Sequence, residues 1–485
     1  MKHATYQDQD HCSRRDVLPG KPTLLQFRKP RAPGENQVSK MCKWMQAYFA
    51  KRIDFQLMSE RKTPPPQLLL ELGNQGFFGL QIAKIYGGLE LSYADSFSIY
   101  EQLASFDIST SLLVGVNNVI ASPPIINHAR PEIKANLLNM IATGRQLVGI
   151  AATEPGAGSN LKAIKTVAKK VKGGFLLNGE KCWISLASWG GYVSVLANTL
   201  DESESNTGFS SFLVDLNWPG VKIGKEHNTL GVRSIEQNEL KFEQVFIPDE
   251  YLLGEIGAGI DVFKDSFVHG RIVIGVASIG VLKRCAQIIH NFACSRQVAT
   301  GVLLDNLVVQ RELSNIISKI EILEHLRDAV ISGLDEGSPA PMELALVMKL
   351  IGSEWAFEAA DWAVQLQGAR GYMEENVASR MLRDSRLFRI FEGSNEALYS
   401  HLGCHQNSND ESNAYTAGIE ISRTILKQAL LDRGEIHDSK LIRFVEKEKT
   451  KLLALHGDMP SISDKGLTQN IENIERSIGR IIGAL

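Results

Sequence analysis

Glu392 stands between an apolar run, Leu387-Phe388-Arg389-Ile390-Phe391, and a short polar turn, Gly393-Ser394-Asn395. A carboxylate walled by Phe391 and Ile390 loses hydration, so its pKa rises and it can serve as a general base. Gly393 lets a backbone N–H face a ligand closely, and Ser394 and Asn395 add short polar contacts. An acid in such a turn can equally be a solvated or capping residue. By itself the segment leaves both readings open.

More than 200 residues upstream lies Ala151-Ala152-Thr153-Glu154-Pro155-Gly156-Ala157-Gly158-Ser159-Asn160. Pro155, Gly156 and Gly158 force an irregular loop, and Thr153 and Ser159 supply hydroxyls. Such a loop can cradle a cofactor ring or a phosphate with backbone N–H groups. It is not a Walker loop, since no Gly-Lys-Ser/Thr follows, and no G-x-G-x-x-G opens a helix here. A polar turn leading into a sheet is the plainer reading. The material that follows alternates: Thr166 to Lys172, Phe175 to Asn178, then Glu180 to Ser185.

Taken together these stretches resemble the acyl-CoA dehydrogenase family of flavoproteins. The family's TEPxxGSD loop corresponds to Thr153–Asn160 and its GxKxWIT strand to Gly179–Ser185. Its LGxR…F…VP…GExGxG stretch reads Leu230 to Arg233, Phe242, Ile247-Pro248 and Gly254 to Gly259. QxxGGxGY is matched by Gln365–Tyr372, and RDxRIxxIxEGTN by Arg383–Asn395. The resemblance runs from about residue 40 to about 403, and the wording around Glu392 looks most like the very-long-chain branch.

The resemblance implies FAD as cofactor and an acyl thioester as substrate. It makes Glu392 the base that takes the α-proton while the β-hydrogen passes to flavin N5. The thioester oxygen would meet the Glu392 backbone N–H and a ribityl hydroxyl, with Gly393 and Arg271 on the substrate side and Ser394 on the cofactor side. By motif position, Ala152 offers a backbone N–H to the ring, Thr153 bonds near N1, Ser185 near N5, and Trp183 packs against it. Core packing of Trp183 and a backbone-satisfied Ser185 stand as alternatives. Gly158 and Ser159 line the passage shared with the pantetheine arm, and Arg271 matches the arginine opening the next helix. Its neighbour Gly270 falls where some members place the base instead. From a second subunit, Arg296, Gln365, Gly368 and Ala369 would hold the adenine and pyrophosphate, which implies a homodimer. Electron-transfer flavoprotein is the implied electron acceptor. Departures gather in that adenine half: Ala299-Thr300 replaces Phe-Gly, Ala369 replaces a glycine, and Arg370 could add a phosphate contact. Asn160 and Ser394 replace the usual Asp and Thr. Two other functions share these residues: dehydrogenation of a carrier-protein thioester, and a non-catalytic scaffold.

The elements that must position these residues follow from periodicity. Residues 37–146 show helical spacing, as in Leu68, Leu69, Leu72 and in Ile99, Leu103, Phe106. From 147 to 256 the pattern turns to short alternating strands, such as Ser211 to Val214, and from 257 to 405 long helical patterns return. The expected fold is mainly α with a small β-barrel-like middle domain and a C-terminal helical bundle. Residues 1–36 read as a loosely ordered arm, and 406–485 as a charged helical extension. Its stripe Ile471, Ile474, Ile478, Ile481, Ile482 suits packing or, less well, a membrane surface. With 485 residues, a net charge of −3 and 22% charged residues, the chain supports several layers and gives no electrostatic reason to expect nucleic acid. Six cysteines without C-x-x-C spacing imply reduced thiols, no metal site, and a cytoplasmic setting, with the mitochondrial matrix as second choice. No uninterrupted apolar stretch looks long enough to span a bilayer.

Overall fold

The computed structural model describes residues 35–404 and 414–431. All but the last two residues of the expected N-terminal arm, and the isoleucine stripe of the extension, lie outside them.

The first region is helical: α1 (Glu35–Arg52), α2 (Phe55–Arg61), α3 (Pro66–Asn74), α4 (Tyr93–Phe106), α5 (Ile108–Gly115), α6 (Ser122–His128) and α7 (Pro131–Ala142). Prolines at the first turns of α3 and α7 occupy positions where a missing N–H costs nothing. Asp107 ends α4 and caps α5, its carboxylate accepting from Thr110 N–H at 2.8 Å. Between α5 and α6, residues Val116–Ala121 form a π-helical turn. Two buried asparagines pin it. Asn118 bonds Phe77 O, Val114 O and Leu80 N–H, while Asn117 bonds Phe78 O and Val148 N–H. These amides tie the turn to the 77–80 segment and to the start of β1, pairing backbone groups there that burial would leave unpartnered.

The middle region is a curled eight-stranded sheet: β1 (Leu147–Ala151), β2 (Val167–Val171), β3 (Gly174–Ser185), β4 (Gly190–Leu200), β5 (Asn206–Asp215), β6 (Val221–Glu226), β7 (Gln237–Pro248) and β8 (Leu252–Leu253). The order is β6-β7-β3-β2-β4-β5-β8, with β1 lying parallel to the first half of β4. Phe175 to Asn178 and Glu180 to Ser185, separate in the sequence pattern, are one strand interrupted by a register shift at Gly179. There φ is 148°, and a methyl would stand 2.5 Å from Thr166 Oγ1, so glycine is required.

The last region is built on α8 (Gly259–Ser295), followed by a hairpin of β9 (Gln297–Val298) and β10 (Gly301–Val302), then α9 (Leu307–Asp335), α10 (Met342–Gln367), α11 (Ala369–Tyr372), α12 (Val377–Ser385), α13 (Asn395–Cys404) and α14 (Ala414–Leu431). Backbones approach closely along α8. A methyl on Gly275 would meet Met348 Cγ at 2.4 Å, and one on Gly280 would meet Glu101 O at 2.1 Å. Glu101 also pairs with Lys283 and Arg327, tying α4 to α8 and α9. Sheet and bundle are clamped where Val232 N–H donates to the buried Asp384 carboxyl at 2.6 Å. The first part of the extension is described: α14 packs on α13, α10 and α9, burying Ile421 and Leu426.

The segment Ile108–His128 and helix α8 are apolar and long enough to cross a bilayer, contrary to the sequence expectation, but 89% and 78% of their apolar windows are buried inside the fold. They are core helices. Cys42, Cys182, Cys285, Cys294 and Cys404 form no disulfide with one another, and no metal-ligating cluster occurs among the described residues.

Replacing a mid-helix glycine by alanine ordinarily gains about 1 kcal/mol of helix propensity. Gly280→Ala should lose more than that, because the methyl collides with a backbone oxygen and forces α4 from α8 at a cost of about 1–3 kcal/mol. A lower thermal midpoint for this variant is the expected result.

Candidate active site

The loop after β1 is held by a buried ion pair. Glu154 is 5% exposed and Lys181, on β3, 1%. The Lys181 ammonium donates to Glu154 Oε1 at 2.8 Å and to Ala152 O at 3.0 Å. The same carboxylate accepts from the N–H groups of Lys165 and Thr166 and from the Thr166 hydroxyl. Those donors hold Glu154 below the usual carboxylate range despite its burial. Cys182 N–H donates to Thr153 O at 3.0 Å, completing the join between loop and strand.

Next along β3 stands Trp183, 55% exposed and at φ 57°, a conformation that a bulky residue adopts only under constraint. A large aromatic presented to solvent on a strained strand is not core packing, which removes that alternative. Ala152 is buried, Thr153 and Ser185 are half-buried, and Gly158 and Ser159 are exposed. A side-chain carbon built on Gly156 or Gly158 would meet nothing within 4 Å. An exposed indole, two half-buried hydroxyls and uncovered glycine backbone, on a loop and a strand joined at Thr153 and Cys182, are groups that suit a flat, polar-edged ring such as a flavin.

Glu392 enters from the other side. Its φ is 55°, and Gly393 follows at 93°, so two successive residues take the left-handed conformation and turn the carboxyl inward. A methyl on Gly270 of α8 would lie 3.1 Å from Glu392 Oε2 and 3.4 Å from Ile120 of the π-helical turn. The carboxylate therefore rests against bare α8 backbone. Oε2 is buried without a hydrogen-bond partner. Burial pushes the pKa up to about 7, against the opposing charges of Arg271 and Lys349. The source of desolvation differs from the sequence expectation: Ile390 is 52% exposed, and Ile120 and α8 form the wall in its place. Arg271 Nε donates to Glu392 O at 3.2 Å. Among the described residues no acceptor takes the Glu392 N–H. Ser394 Oγ accepts from Ala397 N–H at 3.3 Å at the start of α13.

The two halves are joined through the π-helical turn. Ile120 faces the Gly270–Glu392 contact, and Asn117 in the same turn bonds the strand that leads into the 152–159 loop. Arg296, Gln365, Gly368 and Ala369 are exposed, at the C-terminal ends of α8 and α10. Gly368, at φ 60° and ψ −137°, is the glycine that this turn needs. Ala369 merely opens α11, so its methyl is tolerated. Ala299 and Thr300 form the exposed turn of the β9–β10 hairpin.

One participant escaped the sequence analysis. Lys349, fully buried on α10, donates at 2.6 Å to both Gly393 O and Asn395 Oδ1. Its signal was a single charge inside the apolar run Leu344 to Ile351.

Three family models match the chain in order: acyl-CoA dehydrogenase N-terminal domain over residues 37–145, middle domain over 149–245 and C-terminal domain over 257–405. The human mitochondrial short-chain specific acyl-CoA dehydrogenase is 30% identical over 332 residues, 68% of this chain and 80% of that protein. The very long-chain specific enzyme of Macaca fascicularis is 29% identical over 67% of this chain and 50% of its own. These identities do not separate the branches. A Bacillus anthracis acyl-CoA dehydrogenase solved with FAD superimposes with a TM-score of 0.77 over 95% of each chain at 21% identity, a likeness of fold.

Removing one partner of a fully buried ion pair leaves an uncompensated charge, at a cost of about 3–5 kcal/mol. Glu154→Ala is expected to fall by that amount in urea denaturation, whereas the exposed neighbour Ser159→Ala stays near wild type.

Proposed function

Because the chain belongs to the acyl-CoA dehydrogenase family, we propose that Glu392 takes the α-proton of an acyl-CoA thioester as it is converted to the trans-2-enoyl thioester. The protein is an FAD-dependent oxidoreductase acting on a CH–CH bond. The observation that supports Glu392 is its carboxylate: buried, turned inward, one oxygen unpartnered, and poised at about 7. A base is most effective when its pKa lies near working pH, and here burial raises it while two cations stop it from rising further.

Bound FAD supplies the hydride acceptor that no side chain can provide. The rest falls to this chain. Arg271 anchors the Glu392 carbonyl, so that its N–H and carboxylate stay in register. The N–H is a donor for the thioester oxygen, where negative charge develops as the α-proton leaves. Ala152, Thr153, Trp183 and Ser185 border the ring site, and Gly158 and Ser159 the pantetheine passage. Arg296, Gln365, Gly368 and Ala369 would reach the cofactor of a second copy, making the enzyme a homodimer. Electrons would leave to an electron-transfer flavoprotein.

Anaerobic bleaching of the flavin by a panel of straight-chain acyl-CoA thioesters tests this reading. Glu392→Gln should keep its FAD and lose bleaching by several orders of magnitude, since only the base is removed. Undiminished bleaching would place the base elsewhere. In the wild type, only the ionised carboxyl accepts a proton. A pKa near 7 therefore makes kcat/KM fall about tenfold per pH unit below neutrality, with a plateau above.

A further inference from the structure

Lys349 is 0% exposed on α10, where a leucine or methionine would fill the space without burying a charge. An ammonium so placed is costly unless every proton finds a partner. Two of its partners are the Gly393 carbonyl and the Asn395 amide oxygen. Asn395 in turn donates to Ser353 Oγ at 2.9 Å and to Glu354 Oε1 at 2.6 Å, and Arg389 Nε donates to the same Glu354 oxygen at 3.0 Å. Lys349, Ser353 and Glu354 of α10 thus hold Gly393 and Asn395 in the turn from residue 392 to residue 395. That turn contains two consecutive left-handed residues, Glu392 and Gly393, a conformation that persists only where surrounding contacts over-determine it. The sole ammonium in the grip sits on the carbonyl of the second.

We propose that Lys349 is the positioning residue of the base: its ammonium holds the Glu392–Gly393 turn in its left-handed form and, with Arg271, supplies the positive charge that keeps Glu392 ionised in a water-poor site. This rests on the reading of Glu392 as base. The groups facing the pair come from three helices. Arg271 approaches from α8, Glu354 lies on α10 beside Arg389, Tyr399 and Tyr415, and Glu396 opens α13. Burial pushes Lys349 down to about 7, and the Glu392 charge opposes that fall. A nearby cation favours the carboxylate, so removing it raises the pKa of Glu392 and moves the acid limb of the rate profile to higher pH.

Three variants separate anchoring from charge. Lys349→Gln keeps a donor for the turn and removes the charge, Lys349→Met removes both, and Lys349→Arg keeps both. Each is purified with its FAD and followed by thermal melting, by anaerobic bleaching with straight-chain acyl-CoA thioesters across pH, and by the infrared band of the protonated carboxyl that Glu392→Gln abolishes. The Gln variant should retain FAD and melt near wild type, while its carboxyl band and acid limb both move up by about one pH unit or more. The Met variant should show the same shift and lose about tenfold or more in rate on the plateau, as a misplaced base costs up to about 100-fold. The Arg variant should return the limb towards its wild-type position. Should the Met variant not fold, the Gln titration decides alone. Gln and Met variants that titrate and bleach like wild type overturn the proposal, provided Glu392→Gln is inactive. If Glu392→Gln still bleaches, the assignment of the base fails instead.

Discussion

Burying one carboxylate against bare helix backbone is the constraint from which the site takes its shape. Glu392 can lie on α8 only because position 270 carries no side chain and because residues 392 and 393 both accept a left-handed backbone. Taken out of water, the group would resist ionisation and be useless as a base at neutral pH. Arg271 and Lys349 counter that tendency from two different helices. Neither spends a direct hydrogen bond on Oε2, which stays without a partner. The carboxylate is stabilised through space and left chemically available, a combination that a close salt bridge would destroy.

The loop after β1 solves the opposite problem with similar means. A loop rich in glycine and proline has little structure of its own, so its shape must be imposed. Glu154 imposes it by gathering four donors from three directions, one of them the buried ammonium of Lys181. The loop is consequently rigid beneath and open above, where Gly158, Ser159 and Trp183 meet solvent. In both halves a buried lysine donates to a backbone carbonyl, Lys181 to Ala152 O and Lys349 to Gly393 O.

Much of this was legible in the chain. Helical spacing around Leu68–Leu80 and Ile99–Phe106, and alternation in β5, report burial on one face of an element, which periodicity encodes directly. Glu392 was legible from its own neighbourhood, and the 153–160 loop from its glycines and proline. The wall around Glu392 was not. Ile390 is two residues away in sequence yet exposed, while Ile120 lies 272 positions upstream and comes beside the Gly270–Glu392 contact on a π-helical turn that no local pattern announces. Lys349 was missed for a related reason. Its partners are a backbone carbonyl and an amide more than forty residues away, and helical periodicity reads such a residue only as a flaw in an apolar stripe.

Along α8, glycines at 270, 275 and 280 each let a different neighbour touch the helix: Glu392, α10 and α4. Five residues advance an α-helix by about 140° of rotation, so the three contacts are spread around its whole circumference. A rod gripped on three sides can neither roll nor slide without losing a grip. The helix thereby works as a gauge block between regions of the chain that are distant in sequence. The α4 contact at Gly280 and the Glu392 contact at Gly270 lie about 15 Å apart along the axis, so a displacement of α4 that moves α8 also moves the backbone under Glu392.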